Sequence, residues 1–183
     1  MKLKQILNEV LNEIGDRIEL PTGVDYNIQN DSITSKFKFL NDTYSIKINI
    51  KQDNIENNKL ILDIDVLFYI ESDSAFQMTN KNQPLALLSN ISGIIIESLK
   101  KYKEYHYDSD LEVQIHELTY TPKSEEEDEY ADDINSLFGP INKRDKLYRV
   151  FIEKFAKIMN GDVVFFRFDP NKDEISARFI YDE

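Results

Sequence analysis

Leu60, Leu62, Ile64, Val66, Phe68 and Ile70 stand at every second position of one run. Alternate residues of a strand share a face, whereas on a helix the same six positions would spread around the whole cylinder. The run is therefore a β-strand with one buried side. Tyr44, Ile46, Ile48 and Ile50, interleaved with Ser45, Lys47, Asn49 and Lys51, repeat the pattern, and Ile33, Phe37 and Phe39 precede it. Asn41-Asp42 reads as a hairpin turn between those two segments. Folding Tyr44–Lys51 onto Lys59–Ile70 about Asn54–Asn57 sets Lys47 opposite Asp63.

The rest of the chain supplies helices and a closing hairpin. Leu3, Ile6, Leu7, Val10, Leu11 and Ile14 follow the spacing of a helix with one apolar stripe. Gly15 and Asp16 end it, and Pro21-Thr22-Gly23 is a turn. Pro84 suits the first turn of a second helix, where its missing N–H costs nothing. That helix runs to about Tyr105, with Ser89, Ser92 and Gly93 as a small-residue notch. Leu111–Thr119 is a strand, Thr121–Pro140 an acidic connection, and a third helix opens near Asn142. Val163–Phe168 and Ile175–Tyr181 form a hairpin around Asp169-Pro170-Asn171-Lys172-Asp173. This order predicts an α+β fold, a single antiparallel sheet with about three helices packed mainly on one face. It reads as one domain over residues 1–183, with an acidic loop at about 121–140.

With 183 residues, 41% of them hydrophobic, the chain is long enough to bury a core. Having no cysteine, it has no disulfides, thiolate nucleophile or Cys-ligated zinc, which fits a reducing cytosol. No apolar run approaches the roughly 20 residues a membrane helix needs. The acid-bearing first helix does not resemble a signal peptide. A formal net charge of −12 predicts repulsion from nucleic acid and anionic membranes. A protein partner is expected, with neither direct nucleic-acid binding nor membrane association.

Familiar catalytic motifs are missing from the sequence. Five glycines, none in a phosphate-cradling run, and no G-x-S-x-G argue against a nucleotide site or a serine hydrolase. No cofactor or metal is expected, and no catalytic residue is assigned. His106 and His116 lie outside metal-ligand spacings, and His116 shares a strand face with Glu112 and Gln114. Asp63 and Asp65 share a strand face, as an acid–base pair can, or as one half of a cross-strand ion pair with Lys47.

Two charged segments are candidate interaction sites. One is the acidic loop of Glu125, Glu126, Glu127, Asp128, Glu129, Asp132 and Asp133, either a solvated loop, a docking face for a basic partner or phosphate mimic, or a segment folding back on the neighbouring cations. The other is Lys143, Arg144, Lys146, Tyr148 and Arg149. Asn142 is placed as N-cap, with Asp145 completing a capping box. Helical rotation sets Leu147, Tyr148, Phe151, Phe155, Ile158 and Met159 on one stripe, Arg144 on the same side, and Lys146 and Arg149 facing solvent. An arginine at a core edge needs an acid of its own chain or an external anion. With Lys143 and free helix N–H groups it is a candidate anion site.

The run Asn142-Lys143-Arg144-Asp145-Lys146-Leu147-Tyr148-Arg149 resembles a Ser-Arg-x-x-Leu-Tyr type of motif found in an uncharacterised family of small proteins of tailed, myovirus-like bacteriophages. The order strand Leu60–Ile70, polar link Thr79–Gln83, helix Pro84–Tyr105, strand Leu111–Thr119 is similar too. The likeness covers roughly the C-terminal two thirds, with Asn142 and Lys143 where the pattern has a small polar residue. The richness in Lys, Asn and Ile fits an AT-rich genome. The resemblance implies a phage protein in the host cytoplasm or the virion and carries over no catalytic residue. Three functions are expected: a non-enzymatic phage-type protein acting by macromolecular binding, an acidic nucleic-acid mimic, or a small-anion binder or enzyme centred on Arg144.

Overall fold

The computed structural model describes residues 22–39, 42–70, 84–107, 110–124, 141–171 and 174–182. The predicted first helix, residues 71–83 and the acidic run 125–133 lie outside them. Nine elements follow in order: β1 (Asp25–Gln29), β2 (Ser32–Phe39), β3 (Asp42–Glu56), β4 (Lys59–Ile70), α1 (Pro84–His106), β5 (Glu112–Ser124), α2 (Ile141–Ile158), β6 (Gly161–Asp169) and β7 (Glu174–Tyr181). The strands make one sheet in the order β1-β2-β3-β4-β5-β7-β6. The fold is α+β, as the sequence predicts.

The sheet is not wholly antiparallel. β4 and β5 run parallel, because helix α1 carries the chain back across the sheet between them. All other neighbours are antiparallel. The β3–β4 hairpin closes on Asn57 and Asn58, whose φ angles of 50° and 65° are those of a two-residue type I′ turn. Asp42 is already paired with Phe39, so it belongs to the ladder and not to the turn before it.

The strand alternation reads correctly into the core. Ile33, Phe37, Tyr44, Ile46, Ile48, Leu60, Leu62, Ile64, Val66 and Phe68 are all buried. Each such side chain stabilises the fold by about 1.5–3 kcal/mol relative to exposure. Tyr44 stacks between Phe37 and Phe68, with ring centroids 5.4 Å from each. Against this face lies the stripe of α1: Leu87, Leu88, Ile91, Ile94, Ile95, Leu99 and Tyr102. Ser35 Oγ and Ser98 Oγ meet at 2.9 Å inside that interface.

Helix α2 covers the β5–β7–β6 end of the same face. Its buried stripe is Tyr148, Phe151, Ile152, Phe155 and Ala156, which corrects the predicted one. Ile158 is exposed, and Ile152 and Ala156 take its place. The helix begins at Ile141, so Asn142 is inside the first turn and is not its cap. Asn160, at φ 58°, ends it in the left-handed conformation that glycine more often supplies.

Candidate binding surfaces on the open face and the sheet edge

Among the described strands, three β-bulges shape the surface away from the helices. In β3, Lys51 is the extra residue between Ile50 and Gln52. In β5, His116 is the extra residue between Ile115 and Glu117. In β6, Val164 is extra between Val163 and Phe165. A bulge leaves one residue unpaired in the ladder and re-aims its side chain. The first two bulges lie on either side of β4, and both deliver a side chain to the aspartates of its open face.

These aspartates are the pair singled out in the sequence. Asp63 and Asp65 do share a face, but Lys47 is paired with Leu67, four residues along from Asp63. The partner of Asp63 is His116, with Nδ1 3.0 Å from Oδ1. Lys51 Nζ lies 3.9 Å from Asp65 Oδ1 and donates to Thr119 Oγ1 at 3.3 Å. The row continues with Arg178, whose Nε donates to Glu117 Oε2 at 3.0 Å and whose guanidinium lies 5.7 Å from the Phe165 ring. His116 is exposed at its outer side. Exposed pairs of this kind contribute little stability each, about 0–1 kcal/mol. No group able to hold a metal ion occurs among the described residues.

A second polar cluster closes the far end of α1. Tyr102 donates to Asp53 Oδ2 at 3.3 Å, and Tyr107 donates to the same oxygen. Burial, then the Asp53 charge, pushes the Tyr102 phenol far above its ordinary range. Its hydrogen bond to Asp53, more than burial, raises Tyr107. His106 packs against Tyr102 at 4.5 Å, and its Nε2 has no hydrogen-bond partner among the described residues.

The basic segment of α2 is divided by the fold. Lys146 and Arg149 are exposed, whereas Tyr148 is fully buried against Tyr120 and Phe168, at 6.1 and 5.4 Å. Tyr148 is thus a core residue and not a surface contact. Lys143 and Arg144 fall in the first turn, with side chains outside the described set, as are all seven acids of the 125–133 loop.

Arg149 has a neighbourhood that sequence reasoning missed. With Glu153 and Lys157 it lines a shallow cleft of about 330 Å³ against Asp162, Val163, Val164, Phe165 and Phe166 of β6. Arg149 lies 4.6 Å from the Phe166 ring centroid, and Lys157 pairs with Asp162. Among the described strands β6 is an edge strand. Val164 is 56% exposed and Phe165 45%, and Ile180 on β7 is 54% exposed. A soluble edge is usually blunted by charge, brevity or cover. β1, the opposite edge, is five residues long and begins with an aspartate. β6 has nine residues and a run of four apolar ones at its middle. The signal in the sequence was that run, Val163-Val164-Phe165-Phe166, which cannot alternate and so marks either a bulge or a strand that carries apolar side chains on both faces.

Compared with family models, with curated proteins and with solved structures, the chain matches none. No helix among the described residues is long and apolar enough to cross a membrane.

Proposed function

We propose that this is a non-enzymatic, phage-type protein that works by binding a protein partner, in the host cytoplasm or in the virion. The observation that carries the reading is the β6 edge: Val164 and Phe165 open to solvent on a strand that pairs with β7 on one side and with no described strand on the other, next to the charged wall of α2. Free backbone groups and exposed apolar side chains together are what a partner strand needs in order to add to a sheet. The phage assignment is supported by the motif at Asn142–Arg149.

The test uses the full chain as bait in infected cells, alongside a search for it in purified particles. The reading expects a specific partner or particle association that is lost in Phe165→Glu. Partner capture and particle association both unaffected by Phe165→Glu would move function away from this edge. Neither a partner nor particle association would overturn the binding function itself.

A further inference from the structure

Arg149, Glu153 and Lys157 recur at every fourth residue of α2, so they form one row along the cleft wall, charged plus, minus, plus. A rise of about 1.5 Å per residue sets successive members about 6 Å apart. In an extended chain, side chains on one face repeat every ~6.6–6.8 Å. A strand added to the edge of β6 that no described strand covers would therefore pass the row nearly in step with it. Its intervening side chains would point the other way, toward the open face of the sheet that carries Phe165 and Ile180.

From this match we infer that the β6–α2 cleft selects an extended peptide segment of the pattern acid–apolar–base–apolar–acid. The inference rests on the proposed function and specifies the partner's chemistry. The pattern reads the same in both directions, so the charges select the sequence while the backbone ladder selects parallel or antiparallel entry. Glu153, exposed and without an ion pair among the described residues, is the discriminating position. A base faces it favourably, and an acid there meets like charge, which costs affinity and specificity. Lys157 already holds Asp162, so the acid at that end gains less than the one at Arg149.

The experiment is fluorescence anisotropy with two labelled nonapeptides, one centred on Glu-Val-Lys-Val-Glu and one on Lys-Val-Glu-Val-Lys. The wild-type chain should bind the first at least about tenfold more tightly, with the preference shrinking in high salt. A triple variant, Arg149→Glu, Glu153→Lys and Lys157→Glu, should prefer the second peptide, a gain that misfolding cannot produce. Equal binding of both peptides by both proteins would overturn the charge code while leaving edge pairing intact. Binding of neither peptide would also overturn it, whereas edge pairing is judged separately by the Phe165→Glu capture.

Discussion

The Tyr181 hydroxyl sits between the two backbone groups of Ile115, accepting from its N–H at 2.9 Å and donating to its C=O at 3.1 Å. Ile115 is the last residue before the bulge at His116, and β7 pairs with β5 only from Glu117 onward. One side chain therefore replaces the ladder where the strands part. It fixes the backbone from which His116 reaches Asp63.

Removing that hydroxyl should be costly. Tyr181→Phe leaves a buried N–H and C=O of Ile115 without this partner, for a loss of about 1–3 kcal/mol. Urea denaturation should show a lower midpoint with an unchanged slope. A midpoint equal to wild type would show that water takes over both bonds.

Tyr181 also makes stability depend on alkaline pH. Burial pushes its phenol up to about 12, the opposing bond from the Ile115 backbone notwithstanding. An unfolded tyrosine titrates near 10. The native state thus holds the proton more tightly, and this contribution is complete below about pH 10 and lost as pH rises through about 12. Tyr102 and Tyr107 are shifted in the same direction and add to the slope. Unfolding free energies measured from pH 9 to 12 should fall steadily, and less steeply in Tyr181→Phe.

Gly161 has no room for a side chain. A Cβ there would lie 2.9 Å from Cε1 of Tyr181 and 3.0 Å from the backbone oxygen of Ile180. Gly161→Ala should cost about 1–3 kcal/mol, the range for overpacking. Combined with Tyr181→Ala, which removes the ring, Gly161→Ala should cost distinctly less than alone, as a double-mutant cycle would show.

Ser35 and Ser98 offer a cleaner coupling test. Both are buried, and their hydroxyls bond each other across the α1–β2 interface. Either serine changed to alanine strands the other hydroxyl, at about 1–3 kcal/mol, whereas changing both approaches neutrality. Additive losses would mean that each hydroxyl has a separate partner.

The Asn57-Asn58 turn separates backbone from side-chain effects. Asn58 holds φ 65°, and its Nδ2 donates to the Asp110 carbonyl at 3.2 Å. Asn58→Ala loses the bond and keeps the strain, for about 1–2 kcal/mol. Asn58→Gly relieves the strain and loses only the bond, so its melting point should lie between those of alanine and wild type.

The alternation of Leu60–Phe68 and of Tyr44–Ile48 was legible because a strand's period of two is enforced by burial on one side. The bulges were not, and they decide the rest. An extra residue at Lys51 and a turn at Asn57-Asn58 move Lys47 from Asp63 to Leu67. Asp63 meets His116 instead, through the separate bulge in β5, which no local pattern connects to it. The parallel β4–β5 pair was hidden in a helix read only as cover. On α2, Arg149 was legible as exposed from helical rotation alone. Its partners in the cleft come from a strand that begins after the helix ends, so only the tertiary fold could bring them together.

The unequal ladders on the two sides of β5 give the molecule a seam. Twelve register pairs join β5 to β4, but four, from Glu117–Arg178 to Tyr120–Ile175, join it to β7. Amide exchange should resolve the β6–β7 hairpin as a separate opening unit, less protected than the central strands. Whatever occupies the β6 edge would then be felt as slower breathing of that hairpin, long before global unfolding is affected.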